Sequence, residues 1–191
     1  EDEAPSGDLG SAVSGAKSAE AGEAEIKDLS SDMKNLKKKL QTKDKAFKKE
    51  QQVGEKLIKK NQKEIEKLAA RTRAVTEENL ELNSKAEELN TKIEEANAKA
   101  ATRSADSTSN GDDQSGEVQG YKDELATTTQ KIQSNNKITT KNTIKTKTLF
   151  AKNNKQVRTL QKSAKSYQKY TKQATQSTEQ ASSTKDKILK I

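Results

Sequence analysis

The chain has no cysteine, no histidine and no tryptophan, a single proline at Pro5, and only 3% aromatic residues among 191. Without cysteine or histidine it can form no disulfide, offers no thiolate or imidazole to a metal, and has no histidine to act as a general base. No apolar run approaches the roughly 18 residues needed to cross a bilayer. Only 28% of residues are apolar while 35% are charged, which is too little grease for a broad globular core. Chains this polar are either disordered or built as long helices whose core is a narrow seam. Periodicity decides between the two.

Every glycine except Gly54 lies before residue 23 or between residues 111 and 120, so two long stretches are free of helix breakers. Steps of seven from Ile26 give Met33, Leu40, Phe47, Gly54, Asn61, Leu68, Val75, Leu82, Leu89 and Ala96. A companion row starts at Leu29, Leu36 and Leu57, then moves one place to Ile58, Ile65, Ala86, Ile93 and Ala100, so the seam is expected to rotate near Gly54. In the second stretch one row runs Val118, Leu125, Ile132, Thr139, Thr146, Asn153, Leu160, Tyr167, Ala174, Ala181 and Ile188, beside a less apolar row three residues on. Sustained heptads of this kind argue for coiled coil.

The expected organisation is an acidic, flexible tail at residues 1–25, a long helix at 26–103, an acidic polar loop at 104–117 and a long basic helix at 118–191. The economical fold is all-α: an elongated antiparallel helical hairpin or coiled coil that packs into a larger bundle or filament. A four-helix bundle folded near Gly54 and Asn153 is the alternative. The seam expected to carry assembly comprises Met33, Leu40, Phe47, Leu68, Val75, Leu82 and Leu89 in the first helix, and Leu125, Ile132, Leu160, Tyr167 and Ile188 in the second. Polar residues at core positions, among them Asn61, Thr72, Asn79, Asn135, Asn142 and Asn153, set register while lowering stability.

Charge is distributed unevenly. Net charge is +8 overall, with no acid anywhere in residues 126–178 and seven glutamates in residues 77–95. A hairpin folded about residue 111 would set the glutamates beside 127–145 and neutralise that half. The other half, residues 26–60 against 162–191, is basic on both sides and calls for an acidic neighbour: the tail, another copy's loop, or a polyanion.

Asp106, Asn110, Gly111 and Glu117 stand where the first, fifth, sixth and twelfth positions of a calcium loop would stand, and the stretch resembles an EF-hand loop. That resemblance implies Asp106, Thr108, Asn110, Asp112 and Glu117 as oxygen ligands of calcium. The rest of the sequence lacks catalytic groupings: no carboxylate pair sits in an apolar setting and no glycine-rich phosphate loop follows a strand, so the chain reads as non-enzymatic. Lysine-rich helices also suit nonspecific binding of nucleic acid or acidic membrane, whereas four arginines and few aromatics do not suit sequence-specific readout.

A cysteine-free chain that starts without methionine, with two heptad helices around an acidic tip, resembles in architecture the matrix proteins of ciliate secretory granules, the trichocysts and mucocysts. The resemblance covers residues 26–191. It implies a processed, secreted or granule-stored polypeptide that packs with itself or with related, acidic coiled-coil chains into a calcium-responsive matrix.

Overall fold

The computed structural model describes residues 19–104 and 112–190. They form two α-helices and, among the described residues, no strand: α1 (Ala19–Ser104, 86 residues) and α2 (Asp112–Ile188, 77 residues). The two pack against each other as an antiparallel hairpin, as Phe47 beside Tyr167 and Glu78 beside Lys131 show. α1 opens with an acid, Glu20, and closes on Arg103, while α2 closes on Lys185 and Lys187, each charge opposing the local end of the helix dipole.

The boundaries differ from those expected of the sequence. α1 starts at Ala19 and so absorbs Glu20, Glu23 and Glu25 from the expected tail; α2 starts at Asp112, six residues before 118. Both helices run without a break through Gly54 and Asn153, which excludes the folds that a four-helix bundle needs there.

Contacts divide the described residues into two units: residues 19–59 with 153–190, and residues 60–104 with 112–152. In the first unit, Leu29, Ala181 and Ile188 form a buried cluster on which Ile26 and Met33 pack. Between residues 174 and 184 the α2 side of this seam is built from small residues: Ala174 and Ala181 are buried, as are Ser177 and Thr184. Their size leaves room for Leu29, Met33 and Leu36, so the pairing is large against small.

Gly54 belongs to the same packing and not to a kink. It is buried, and a Cβ added there would lie 2.6 and 2.8 Å from the two methyl carbons of Leu160. The seam does rotate, but about ten residues earlier. Leu29 and Leu36 are buried, both Lys43 and Asp44 are half-buried, and from Gln51 onward the companion row runs through Ile58, Ile65 and Thr72. Two successive steps of four, from Leu36 to Leu40 to Asp44, constitute a stutter. Leu57, assigned to the seam from sequence, is instead 45% exposed.

In the second unit the seam is short of hydrocarbon. Leu68, Leu89, Ala96 and Leu149 are buried, but so are Asn61, Thr128, Asn135 and Asn142. The α2 row that looked weaker in sequence is therefore the more deeply buried one here. Each polar group must then find a partner. Asn135 Nδ2 donates to Glu78 Oε2 (2.9 Å), Asn142 Nδ2 donates to Thr72 Oγ1 (3.2 Å), and the Thr128 hydroxyl donates to the Glu124 carbonyl within its own helix (2.8 Å).

Candidate functional site

All twelve residues expected to form an assembly seam are buried or half-buried within the hairpin of one chain. Leu68, Leu89, Leu160 and Ile188 are the most deeply covered of them. The seam is therefore occupied intramolecularly.

Three interhelical ion pairs flank the seam of the second unit: Glu64 with Lys145 (2.6 Å), Glu78 with Lys131, and Lys85 with Glu124 (2.6 Å). Their positions are separated by 14 and 7 residues along each helix, so all three occupy one heptad position on one side of the seam. A one-residue slip of α2 would break all three together. The charge pairing is displaced from the expected one: the glutamate-rich stretch 77–95 faces Tyr121, Glu124, Lys131 and Asn135, and not the whole of 127–145. Among the described residues Lys137 and Lys141 have no carboxylate within ion-pair distance. The lysine ammonium groups hold Glu64, Glu78 and Glu124 below the usual carboxylate range, and the Asn135 amide assists at Glu78.

Of the residues expected to hold calcium, Asp106, Thr108 and Asn110 lie outside the described residues. Asp112 is the first residue of α2, where a carbonyl points along the helix toward the amide four residues on. Glu117 accepts a 2.8 Å hydrogen bond from the Tyr121 hydroxyl, and this bond raises the tyrosine's pKa. No cluster of three acidic side chains able to hold a metal occurs among the described residues.

The first unit contains the more developed surface feature, an open cleft of about 780 Å³ lined by Phe47, Lys43, Lys162, Tyr167, Lys169 and Tyr170 among others. Its floor is aromatic: the Phe47 and Tyr167 rings stack with centroids 4.4 Å apart and planes 6° from parallel. The Tyr167 hydroxyl donates to Asp44 Oδ1 (2.7 Å), Asp44 also pairs with Lys48 (2.8 Å), and Lys43 Nζ lies 5.5 Å from the Tyr170 ring centroid. Asp44 is thereby held below the usual carboxylate range, first by Lys48 and then by Tyr167, while the bond to Asp44 raises the tyrosine. The stutter makes this possible, because it turns Lys43 and Asp44 both partly into the seam. Sequence reading missed the site because a stutter marked by lysine and aspartate leaves no apolar signature.

No lysine or arginine within residues 147–172, the cleft residues Lys162 and Lys169 included, has a carboxylate within ion-pair distance among the described residues. No described helix is long and apolar enough to cross a membrane. No protein-family model, no curated protein and no solved structure matches the chain.

Proposed function

We propose that this chain is a non-enzymatic structural protein, a helical hairpin that assembles with itself or with related chains through its outer faces. The observation that carries the reading is the run of lysine and arginine at residues 155–172, none of which has a carboxylate within ion-pair distance among the described residues, on a hairpin whose apolar seam is already closed. The acids that could match it are abundant elsewhere in the sequence, at residues 1–25 and 77–95. Complementary faces of this kind select partners and orientation. Assembly into a matrix, with a calcium response, is what the resemblance to ciliate granule proteins adds to the proposal.

Light scattering during stepwise removal of salt tests it. Scattering that rises as ionic strength falls, with no polymer added, supports charge-matched assembly, because screening at about 0.15 M shortens the reach of exposed charges to about 8 Å. Flat scattering at every ionic strength overturns it.

A second reading, nonspecific polyanion binding, draws on the cleft, where Lys43, Lys162 and Lys169 surround a tyrosine-lined floor. Retention on heparin at about 0.15 M salt, without self-association, would favour it over assembly.

A further inference from the structure

α2 is sorted by charge around its circumference in a way that pairing with α1 does not require. Steps of three and four along residues 154–182 pass through Val157, Ala164, Gln168, Thr171, Thr175 and Thr178, and no residue on this stripe is charged. The cations of the same stretch, Lys155, Arg158, Lys162, Lys165, Lys169 and Lys172, all fall on two other heptad positions. Thr159, Ser166, Gln173 and Gln180 form a second uncharged line, but Thr159 and Ser166 border the lysine-ringed cleft.

The threonines on the stripe are already satisfied. The hydroxyls of Thr171, Thr175 and Thr178 donate to the carbonyls of Tyr167 (2.9 Å), Thr171 (3.0 Å) and Ala174 (2.9 Å), four residues back in each case. With the hydroxyl turned to its own helix, each of these side chains can be covered by an apolar surface without stranding a donor. Val157, 39% exposed, lies on the same line.

Thr175 and Thr178 also line one wall of an open, mostly apolar groove of about 430 Å³, whose other wall is Met33, Leu36 and Leu40. Lys34 and Lys37 stand on the α1 side of this groove and Glu179 on the α2 side. None of the three is ion-paired among the described residues.

We infer that this groove and stripe are the contact surface for a second copy of the same chain, related by a two-fold axis. The occupant follows from charge. In a chain of net charge +8, any contact between like faces that includes Lys155, Lys162 or Lys169 sets lysine against lysine, and the stripe is an uncharged line along α2, leading to the apolar groove and not to the lysine-ringed cleft, where two copies meet without that repulsion. A two-fold contact is also self-complementary: it sets the Lys34 and Lys37 rim of each copy against Glu179 of the other, so one operation places opposite charges together at both rims. The inference rests on the proposed assembly and names one surface for it. Because the stripe is uncharged, this contact survives salt that dissolves charge-matched assembly.

The test is sedimentation equilibrium of the full chain at about 0.5 M salt, where exposed charges are largely screened. The expected result is a reversible dimer whose dissociation constant rises at least about tenfold in Thr175→Glu/Thr178→Glu. Both sites are exposed and glutamate is a good helix former, so circular dichroism should show unchanged helix content. At about 0.15 M salt, where the rim charges still act, Glu179→Lys should also weaken the dimer, and adding Lys34→Glu and Lys37→Glu to it should restore the affinity. Association that appears only at low salt and ignores these substitutions overturns the inference and leaves the proposed function standing. A chain that is monomeric at 0.5 M and low salt alike overturns both. So does a 0.5 M monomer that binds a free peptide of residues 77–95 in the groove, as regards the occupant.

Discussion

Leu160 occupies the space that a side chain at position 54 would need, its two methyl carbons lying 2.6 and 2.8 Å from where the Cβ would stand. Glycine inside a helix costs about 1 kcal/mol relative to alanine, so its place at the middle of α1 needs a reason, and the knob from α2 is that reason.

Gly54→Ala should therefore fall short of the propensity gain of about 1 kcal/mol, because Leu160 must move as a whole to admit the methyl. In a Leu160→Ala background the same substitution should recover that gain. A double-mutant cycle by urea unfolding should show coupling of at least about 0.5 kcal/mol, and strict additivity would mean the two residues do not meet.

Replacing Asn142 by leucine should raise thermal stability by on the order of 1 to 2 kcal/mol, since it exchanges a buried amide for buried hydrocarbon. The same change should loosen register, because Asn142 no longer donates to Thr72. The check is a melting curve together with crosslinking of cysteines placed across the seam: a higher midpoint with more than one crosslinked register is expected.

The pairing of Phe47 with Tyr167 should be specific to stacking. Phe47→Leu keeps most of the buried area and loses the ring contact, so a cost of about 0.5 to 1.5 kcal/mol is expected. Tyr167→Phe should cost less, as Asp44 keeps its pairing with Lys48.

Acid should weaken the second unit. The folded pKa values of Glu64, Glu78 and Glu124 lie below the ordinary 4.5, chiefly through hydrogen bonds from Lys145, Lys131 and Lys85. The stability they contribute is complete above the unfolded value and is lost as pH falls through the folded values. The melting midpoint should be lower at about pH 3 than at about pH 7, and the difference should shrink in Glu64→Gln/Glu78→Gln/Glu124→Gln.

Much of the fold was legible because heptads report directly which line of a helix is covered. The α2 rows through Val118 and Tyr121 lie in the seam along their described length. Three things were not legible, each for a physical reason. Gly54 reads as a flexible break in sequence, whereas its meaning depends on a leucine more than a hundred residues away. The pairing offset depends on where α2 begins, and the helix starts at Asp112, inside a stretch whose glycines and acids read as loop. The threonine stripe looks merely polar until the hydroxyls are seen to turn back on their own helix. The ion pairs flanking the second unit, by contrast, follow from residue type once the offset is known.

The central claim is that a hairpin with its own seam closed still carries faces that bind further copies. The weight-average mass of the unmodified chain, followed by sedimentation equilibrium from micromolar to millimolar concentration, addresses it most directly. Mass that climbs with concentration above the 21.0 kDa of one chain is the expected result. A mass that stays at 21.0 kDa throughout would contradict the account.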